Sequence, residues 1–576
     1  MKSKYSLFFF HVALLFSLEG LAQTPKYWLS YEVIGNLQQK ALLSFSDTVQ
    51  MRTAIRERFA DLHHAGYLAA SAQVQKNAGD TLFLTVDTGQ KFEWLQLGMG
   101  NVDPVLGVKS GADVRLVRGK PFSYSQVSRL MEQVLSTYEN NGYPFAAVGL
   151  DSISREDQKI SAVLSVNPGP YIVFDTLKVT GDSKVKVSYL FRFLQLRPGT
   201  PFSQKQVDEA IPQAGKLPFL RWAGEPQLSF QNQEATLYLP LNERKINTID
   251  GIIGFLPNER PGGRLLLTGQ FDLALHNVSG RGRNYELRWQ GFNQFSQSLA
   301  ISALEPLLLG SKLDLKADFR LLKQDTTFLT RDFRLSFGYR FSSQSYLRFF
   351  GSRQAGDLLA VSGLSELTEL PQVGDFRFNS YGLGWDQVWL DDLFFPRRGG
   401  RVQLDMGVGN RNILVNTAIP EELYKGLDRR TLQYFVQAKA EKHYYLRPQW
   451  GISTVFGAGW LKNPNLFIND LYRLGGLRSI RGFNENYFFA NNFVHVSIEP
   501  RYYFDTYSYF MIFADVGRLG NSVQQLPVDF PMATGMGISL DTGNGVFNFI
   551  YALGRSNAQQ FSLNLSKVHF GFTGRF

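Results

Sequence analysis

From about residue 248 to its end, the chain alternates apolar and polar residues with a period of two. In the segment FVHVSIEPR, Val494, Val496 and Ile498 fall on one face, and polar residues fall on the other. Similar stretches of about ten residues follow one another, separated by Gly, Asn, Asp and Pro. Alternation of this kind predicts a series of β-strands that each have one apolar and one polar face.

The apolar faces of these strands favour a transmembrane barrel over a soluble β-sandwich. The last segment, VHFGFTGRF, places Val568, Phe570, Phe572, Gly574 and Phe576 on one face. A sandwich buries such a face, whereas a membrane barrel turns it towards lipid. The chain has 48 Phe and 25 Tyr, and after its first residues it offers no apolar run long enough for a spanning helix. At ~20 residues per strand and connection, residues 248–576 predict an antiparallel barrel of about 16 strands.

The first half contains an internal repeat with a period of 80 residues. GKPFSYSQV begins at Gly119 and GTPFSQKQV begins at Gly199. VDTGQ and VNPGP, which begin at Val86 and Val166, have the same offset. A fixed period indicates repeated modules. One apolar helix face is predicted after the first copy of the motif, formed by Val127, Leu130, Met131, Val134, Leu135 and Tyr138.

A third and earlier copy is indicated by Gly66 and Tyr67, which echo Gly142 and Tyr143. We therefore expect three small α+β domains, at residues 23–89, 90–169 and 170–247, ahead of a barrel at 248–576. Each domain is expected to run strand, helix, helix and then two strands.

The N-terminus has the features of a secretory signal peptide. Lys2 and Lys4 precede an apolar stretch, and the small residues Gly20 and Ala22 precede a cleavage point before Gln23. Residues 1–22 are therefore expected to be removed on export. The chain has no cysteine, which excludes disulfides, thiolate metal sites and a lipid-modified cysteine at the cleavage point.

Charge and motif content argue against nucleic-acid binding and against catalysis. The net charge is +10, but only 19% of residues are charged, which is too dilute for a nucleic-acid surface. Two Asp-Thr-Gly tripeptides occur, at residues 87–89 and 541–543, and resemble those of aspartic proteases. The first belongs to a turn of the repeat and the second lies between predicted strands. We expect no enzyme activity, no metal site and no cofactor.

Several segments resemble the outer-membrane assembly-factor superfamily of BamA and TamA. They are LHNVSGRGRNYEL, ALEPLLLGSKL, DDLFFPRRGGRVQLDMG, FADVG and the tripeptide Arg481-Gly482-Phe483. The segment from YIVFDTLKVTGDSKV to ATLYLPLNERK resembles a POTRA domain, and three such units resemble TamA more than BamA. The resemblance implies a barrel in the outer membrane of a Gram-negative bacterium, with the POTRA domains in the periplasm. It also implies two kinds of partner. Unfolded client polypeptides are expected to bind by strand addition, and accessory lipoproteins or an inner-membrane protein are expected to assist.

In that superfamily the Arg-Gly-Phe motif lies on a loop that folds back into the barrel. The resemblance implies that Arg481 pairs with acidic residues of the inner wall, with Gly482 allowing close approach and Phe483 anchoring the loop. The alternation places Asp515 and Glu499 on the lumenal faces of their strands. A solvated surface loop is the alternative, and Arg478 has no assigned role beyond a loop charge.

The resemblance further implies an imperfectly closed seam between the first and last strands. We expect the strand near Leu265 to Leu275 to face the strand Val568 to Phe576, whose Phe570, Phe572 and Phe576 form a C-terminal signal. The function implied is insertion or translocation of client chains at this seam. A pore of the two-partner-secretion type, which exports one dedicated soluble protein, is the alternative. A passive porin is disfavoured because porins lack POTRA domains.

Overall fold

A computed structural model describes residues 27–35, 39–256, 266–291, 295–341, 345–360, 364–392, 395–543 and 545–576. The predicted signal peptide lies outside the described residues. Two compact units divide the chain. The first comprises the residues up to Asp175 with Pro198–Gln206 and Phe230–Ala235, and the second comprises Thr176–Arg197, Val207–Ser229 and Thr236–Phe576.

The first unit contains two small mixed sheets with their helices. Its elements are β1 (Tyr27–Ile34), β2 (Gln39–Phe45), α1 (Thr48–His64), β3 (Ser71–Ala78), β4 (Thr81–Asp87), β5 (Glu93–Gly98), α2 (Pro104–Ser110), α3 (Tyr124–Glu139), β6 (Ala147–Glu156) and β7 (Lys159–Asn167). The first sheet has the order β2-β1-β4-β3 and the second has the order β5-β7-β6.

Helix and strand periodicity account for the second of these domains. Helix α2 begins after Asp103, whose carboxylate accepts the backbone N–H groups of Val105 and Leu106 at 2.9 and 3.0 Å. Every second residue of β7 is buried, as a sheet covered on one face requires. The stripe of α3 that packs against this sheet consists of Val127, Leu130, Val134 and Tyr138.

The first domain differs from the predicted order of elements. It has two strands before a single helix, because β2 pairs antiparallel with β1 from Tyr27↔Phe45 to Val33↔Gln39. The expectation of two helices there was wrong. From Lys40 to Phe45 the residues of β2 alternate between exposed and partly buried, as in a strand with one covered face.

Two glycines form equivalent joints between successive domains. The N–H of Phe92 donates to the carbonyl of Gly66 at 2.8 Å, and the N–H of Ile172 donates to that of Gly142 at 2.7 Å. Both glycines have a positive φ, of +98° and +97°. A Cβ on Gly142 would overlap the ring of Tyr171. The Gly-Tyr echo in the sequence therefore marks the points where one domain meets the next.

A third sheet precedes the barrel. Its strands have the order β10-β12-β8-β9, and β11 pairs with β12. The elements are β8 (Val173–Thr180), α4 (Val187–Phe193), β9 (Thr200–Pro201), α5 (Gln204–Gly215), β10 (Leu220–Trp222), β11 (Gln227–Gln231) and β12 (Glu234–Glu243).

Sixteen antiparallel strands close into a barrel, which confirms the predicted fold and strand number. They are β13 (Thr248–Leu256), β14 (Leu266–Val278), β15 (Arg283–Gly291), β16 (Gln297–Glu305), β17 (Leu313–Gln324), β18 (Phe328–Arg340), β19 (Ser345–Leu358), β20 (Phe376–Val388), β21 (Gly399–Ile413), β22 (Arg430–Arg447), β23 (Trp450–Lys462), β26 (Asn492–Tyr503), β27 (Tyr509–Gly520), β28 (Met532–Asp541), β29 (Gly545–Arg555) and β30 (Lys567–Arg575). A short hairpin, β24 (Tyr472–Leu474) and β25 (Phe488–Ala490), lies between β23 and β26.

The barrel turns its apolar faces outward. On β26, Val494 and Ile498 are exposed, whereas His495, Ser497 and Glu499 point inward and are buried. This is the arrangement that lipid outside and polar groups inside require. None of the helices in the described ranges has both the length and the apolarity needed to cross a bilayer.

The positions of the first and last strands distinguish the two ends of the barrel. We call the end at which β13 begins and β30 finishes the proximal end, and the opposite end the distal end. Helix α4 packs on the proximal turns, where the N–H of Lys186 donates to the carbonyl of Gly280 at 2.8 Å and Tyr189 lies against Gly282. Burial raises the pKa of the Tyr189 hydroxyl.

Candidate functional site

The sixth distal connection, residues 463–491, folds into the barrel instead of projecting from it. We call it the inner loop. Its apolar residues Leu474, Ile480 and Phe483 are buried together with Leu519 and Ala533 of the barrel wall. Arg481 therefore lies between apolar residues, Ile480 and Phe483, that attach the loop to the wall. This packing excludes a solvated surface loop.

Arg481 lies at the centre of a buried ionic cluster. Its Nε and Nη2 donate to the two carboxylate oxygens of Asp515 at 2.9 and 2.7 Å, and its Nη1 donates to Glu499 at 2.8 Å. Nη2 also donates to the hydroxyl of Ser497 at 2.7 Å, and the guanidinium lies 3.5 Å from the ring centre of Phe513. The side chains of Arg481 and Asp515 are 8% and 1% exposed. A fork-shaped donor is well suited to such a set of acceptors.

The strand register brings these acceptors together. Ser497 of β26 is paired with Asp515 of β27, and Glu499 lies two residues further along the same lumenal face. Glu499 also forms an ion pair with Arg501, whose Nη2 lies 2.7 Å from Oε1 of Glu499, so that two guanidinium groups share this carboxylate. Removing one member of a buried cluster of this kind leaves an unpaired charge, which costs about 3–5 kcal/mol.

Gly482 and Phe483 fit the wall closely beside Arg481. Gly482 has φ of +84°, and a Cβ there would lie 2.6 Å from the carbonyl carbon of Leu553 and 2.7 Å from the nitrogen of Gly554. Only glycine is accommodated at this point. Phe483 is fully buried and contacts Phe488 edge to face, with ring centres 4.7 Å apart. The structure therefore brings all three motif residues and both predicted acids into one site.

A second buried ion pair holds the start of the inner loop, and no sequence motif predicted it. Nη2 of Arg411, on β21, donates to Asp470 at 2.6 Å, and both side chains are fully buried. The guanidinium lies 4.9 Å from the ring centres of both Phe376 and Phe467. The partners are 59 residues apart in the chain and lack a recognisable motif. The only indication was that Arg411 occupies a lumenal position of its strand.

Arg478 is the other arginine of the inner loop, and it points to a different part of the wall. Its Nη2 lies 3.3 Å from Asp272 of β14. Arg288 of β15 binds the same carboxylate at 2.7 Å. The Arg478 side chain is 53% exposed, so this contact is weaker than that of Arg481.

The seam between β13 and β30 is short. Only three residue pairs join these strands, Thr248↔Arg575, Ile249↔Gly574 and Asp250↔Thr573, whereas nine pairs join β13 to β14 and eight join β29 to β30. At its proximal end the N–H of Phe576 donates to the carbonyl of Asn247 at 3.0 Å. Residues 567–572 of β30 pair only with β29 within the part of the chain that the structure describes.

The prediction of which strand pairs with the last strand was wrong by one strand. Residues 265–275 fall largely on β14, which pairs with β13 and β15, so the first strand is Thr248–Leu256. The sequence TIDGIIGFL has two glycines and two adjacent isoleucines, which obscure its alternation. The aromatic residues of the last strand face outward, and of these Phe570 and Phe576 are exposed.

The proximal mouth of the barrel is crossed by the turn between β20 and β21. Arg397 of this turn donates to the backbone carbonyls of Asp505 and Thr506, and its guanidinium lies 4.5 Å from the ring centre of Tyr503. Above it lies a cavity of about 460 Å³ lined by four arginines, Arg397, Arg401, Arg501 and Arg575. The lumen is therefore narrowed at this end as well as by the inner loop.

The two Asp-Thr-Gly tripeptides lie in different units of the structure. Asp87 is the last residue of β4, and Asp541 is the last residue of β28 and contacts Arg575. Within the described ranges, no group of three or more His, Asp or Glu side chains is arranged to hold a metal ion.

Comparison with known proteins agrees with this architecture. Residues 277–576 match the Omp85 superfamily domain. The chain is 20% identical over 213 residues to the outer membrane protein assembly factor BamA of Neisseria meningitidis serogroup B, a match of 36% of this chain and 26% of that protein, so the chain spans about a quarter of its relative. Solved structures with a similar fold include CdiB from Escherichia coli (TM-score 0.53, 14% identity, 92% of this chain and 97% of that one) and CdiB from Acinetobacter baumannii (0.54, 10%, 92% and 98%). The chain therefore belongs to the Omp85 superfamily of Gram-negative outer-membrane barrels, with its α+β domains in the periplasm.

Proposed function

We propose that this protein is an outer-membrane assembly or translocation factor that accepts client polypeptides at the seam between β13 and β30. The observation that supports this most directly is the length of the seam. Three residue pairs hold it, and residues 567–572 of β30 extend beyond them without a seam partner among the described residues.

The physical reason is the cost of unpaired backbone in a membrane. An N–H or C=O group without a partner in hydrocarbon costs several kcal/mol, and for this reason membrane barrels close their edges. An incoming strand with free edge groups of its own can pair with β30 and remove this cost on both sides. Client folding and insertion thus supply the driving force.

The periplasmic domains offer further strand edges. Strands β3 and β6 lie at the edges of their sheets, and both are largely exposed. Each contains a register shift, between Val74 and Lys76 and between Asp151 and Ser154. Bulges of this kind limit uncontrolled pairing of an exposed edge. We propose that these edges bind extended clients before they reach the barrel, with accessory lipoproteins or an inner-membrane partner assisting.

In this proposal the cluster around Arg481 keeps the inner loop on the wall made by β26 and β27. Three buried ion pairs attach the loop to the wall, so that the loop occupies the lumen. Clients would then be routed to the seam and the lipid rather than through the centre of the barrel.

Site-specific crosslinking tests the proposal. Because the chain has no native cysteine, a crosslink through a thiol of this protein can form only at the introduced residue. Cysteine would be introduced at Val568 or Phe572 of β30, and at Val408 of β21 as an outward-facing control far from the seam in strand order. With newly made barrel proteins as substrates, crosslinks are expected at the two β30 positions and not at Val408. Equal capture at all three positions would contradict insertion at the seam.

The alternative, a two-partner-secretion pore, predicts a different cellular outcome. Depletion of a general assembly factor lowers the level of many outer-membrane barrels, whereas depletion of a dedicated exporter removes one secreted protein. Quantitative proteomics of outer membranes and culture medium after depletion distinguishes the two. The likeness to the CdiB structures concerns the fold alone and does not decide between them.

A further inference from the structure

The inner loop contacts the barrel wall on both sides of the seam. On the C-terminal side, Arg481 is bound to β26 and β27, and the backbone of Gly482 lies against β29. On the N-terminal side, Arg478 reaches Asp272 on β14. In strand order, β30 and β13 lie between these two attachment points. Only two residues of the loop, Ser479 and Ile480, therefore separate a contact on one side of the seam from a contact on the other.

The two attachments differ in strength. Arg481 is buried and meets Asp515, Glu499 and Ser497 in a closed set of hydrogen bonds. Arg478 is half exposed, and its single carboxylate partner, at 3.3 Å, is already held by Arg288 at 2.7 Å. A half-exposed ion pair of this kind is easily broken and re-formed, whereas the buried cluster is not.

The surroundings of Asp272 connect it to the seam itself. Asp272 is paired in register with Asp250 of β13, and Asp250 is one of the three residues of β13 that form the seam. Its carboxylate accepts the Thr573 hydroxyl of β30 at 2.9 Å. Asp250 and Asp272 lie near enough for their like charges to interact, and Arg478 interacts favourably with both. A cation at this position offsets repulsion between two acids next to the seam.

We propose that Arg478 is a releasable latch, which bridges the seam from inside the lumen by binding Asp272 while Arg481 keeps the loop fixed on the other side of the seam. This inference rests on the proposed function and assigns a regulatory role at the same site. Release of Arg478 frees β13 and β14 to move away from β30 without detaching the loop. The latch thus biases the seam towards its closed state until a client strand replaces the pairing.

Amide hydrogen exchange of the purified full-length protein in lipid nanodiscs tests the latch. Exchange of seam amides, in peptides covering residues 248–250 and 573–576, reports the population of the open seam. In Arg478→Ala and in Asp272→Asn we expect exchange at these peptides to be about two- to fivefold faster, the range that a half-exposed ion pair allows. The double variant should show no further increase beyond that of Asp272→Asn.

Three controls separate the latch from general loosening. Arg478→Lys keeps the charge and should exchange at nearly the wild-type rate. Arg288→Gln removes the other arginine bound to Asp272, which also accepts the side chain of Gln270, and leaves the loop contact in place. Arg518→Gln removes a distal arginine that contacts Asn492 of β26 instead of the seam. Gel mobility before and after heating confirms that each variant retains its barrel.

The latch is overturned if Arg478→Ala leaves seam exchange unchanged, or if Arg288→Gln and Arg518→Gln accelerate it equally. The readout concerns the seam and needs no client. A failure here is therefore distinguishable from a failure of client capture at β30, which is the test of the proposed function.

Discussion

Arg481 and Asp515, separated by 34 residues of chain, are joined by three hydrogen bonds: Nε and Nη2 of the guanidinium and the backbone N–H of Arg481 all donate to the Asp515 carboxylate. The backbone contact means that Asp515 fixes the course of the loop as well as the arginine side chain. No other residue type has a donor set that reproduces the side-chain part of this contact.

Replacing Asp515 should therefore weaken the whole attachment. In Asp515→Asn the guanidinium loses its buried counter-charge, and in Asp515→Arg two cations meet at one point. We expect a loss of about 3–5 kcal/mol of loop attachment for the first and a larger loss for the second. Protease cleavage of the inner loop in otherwise folded barrels measures the attachment.

Glu422→Gln is the matched control, because Glu422 lies on a distal loop in an exposed pair with Lys425. It should leave the cleavage rate unchanged. If Asp515→Arg resists cleavage and supports assembly as well as the wild type, the ionic cluster does not hold the loop.

The stability of the distal end should fall when either Arg411 or Asp470 is replaced alone, but only slightly when both are replaced together. Either single change, Arg411→Met or Asp470→Leu, leaves one unpaired buried charge and should destabilise the distal end by about 3–5 kcal/mol. The double variant Arg411→Met/Asp470→Leu removes both charges and keeps apolar volume between Phe376 and Phe467. It should recover most of that loss, since buried pairs are often no more stabilising than apolar replacements.

Thermal unfolding of the four proteins, followed by gel mobility before and after heating, measures this cycle. Additive losses in the double variant would show that Arg411 and Asp470 act independently. Recovery would show that the pair fixes the geometry of the loop start more than it adds to stability.

The joint at Gly142 should be intolerant of a side chain. Gly142→Val adds a branched side chain at φ of +97° and directs it into the ring of Tyr171, so the joint must shift or open. We expect faster hydrogen exchange at Ile172, whose N–H donates to the Gly142 carbonyl. Amide hydrogen exchange on the purified protein measures this effect.

Gly149→Val is the control, since Gly149 lies on a strand with open space where its Cβ would be. Wild-type exchange at Ile172 in Gly142→Val would mean that the joint is not held by this glycine.

The lumenal acids could be predicted from the sequence because two independent signals pointed to them. Strict alternation on β26 and β27 places Glu499 and Asp515 inward, and the Arg-Gly-Phe motif supplies a cation that needs partners. For Arg411 and Asp470 no motif existed, and alternation indicated only that Arg411 faces the lumen. Their pairing depends on where a loop lies relative to a distant strand, and that relation is set by the closed barrel rather than by any local pattern.

The first strand of the barrel was missed for a related reason. Alternation identifies a strand only where successive residues are clearly apolar or clearly polar. The glycines at positions 251 and 254 are neither, so the alternation is interrupted there. The same segment forms the short seam, and its glycines lower the strand propensity of one side. The weak pattern in the sequence and the weak pairing in the structure thus occur in the same residues.

Covalent closure of the seam should stop client insertion without unfolding the barrel. Ile249 and Gly574 are paired in register across the seam, and the chain has no other cysteine to interfere, so Ile249→Cys/Gly574→Cys should form a disulfide on oxidation. The expected result is loss of insertion activity in proteoliposomes under oxidising conditions and its recovery on reduction, because β30 regains its freedom to leave β13. Val408→Cys/Tyr434→Cys places the same crosslink between β21 and β22, which are joined by fourteen residue pairs, and should leave activity intact in both conditions. Full activity of the oxidised seam variant would mean that clients enter by another route, since strand exchange at β30 requires the seam to separate.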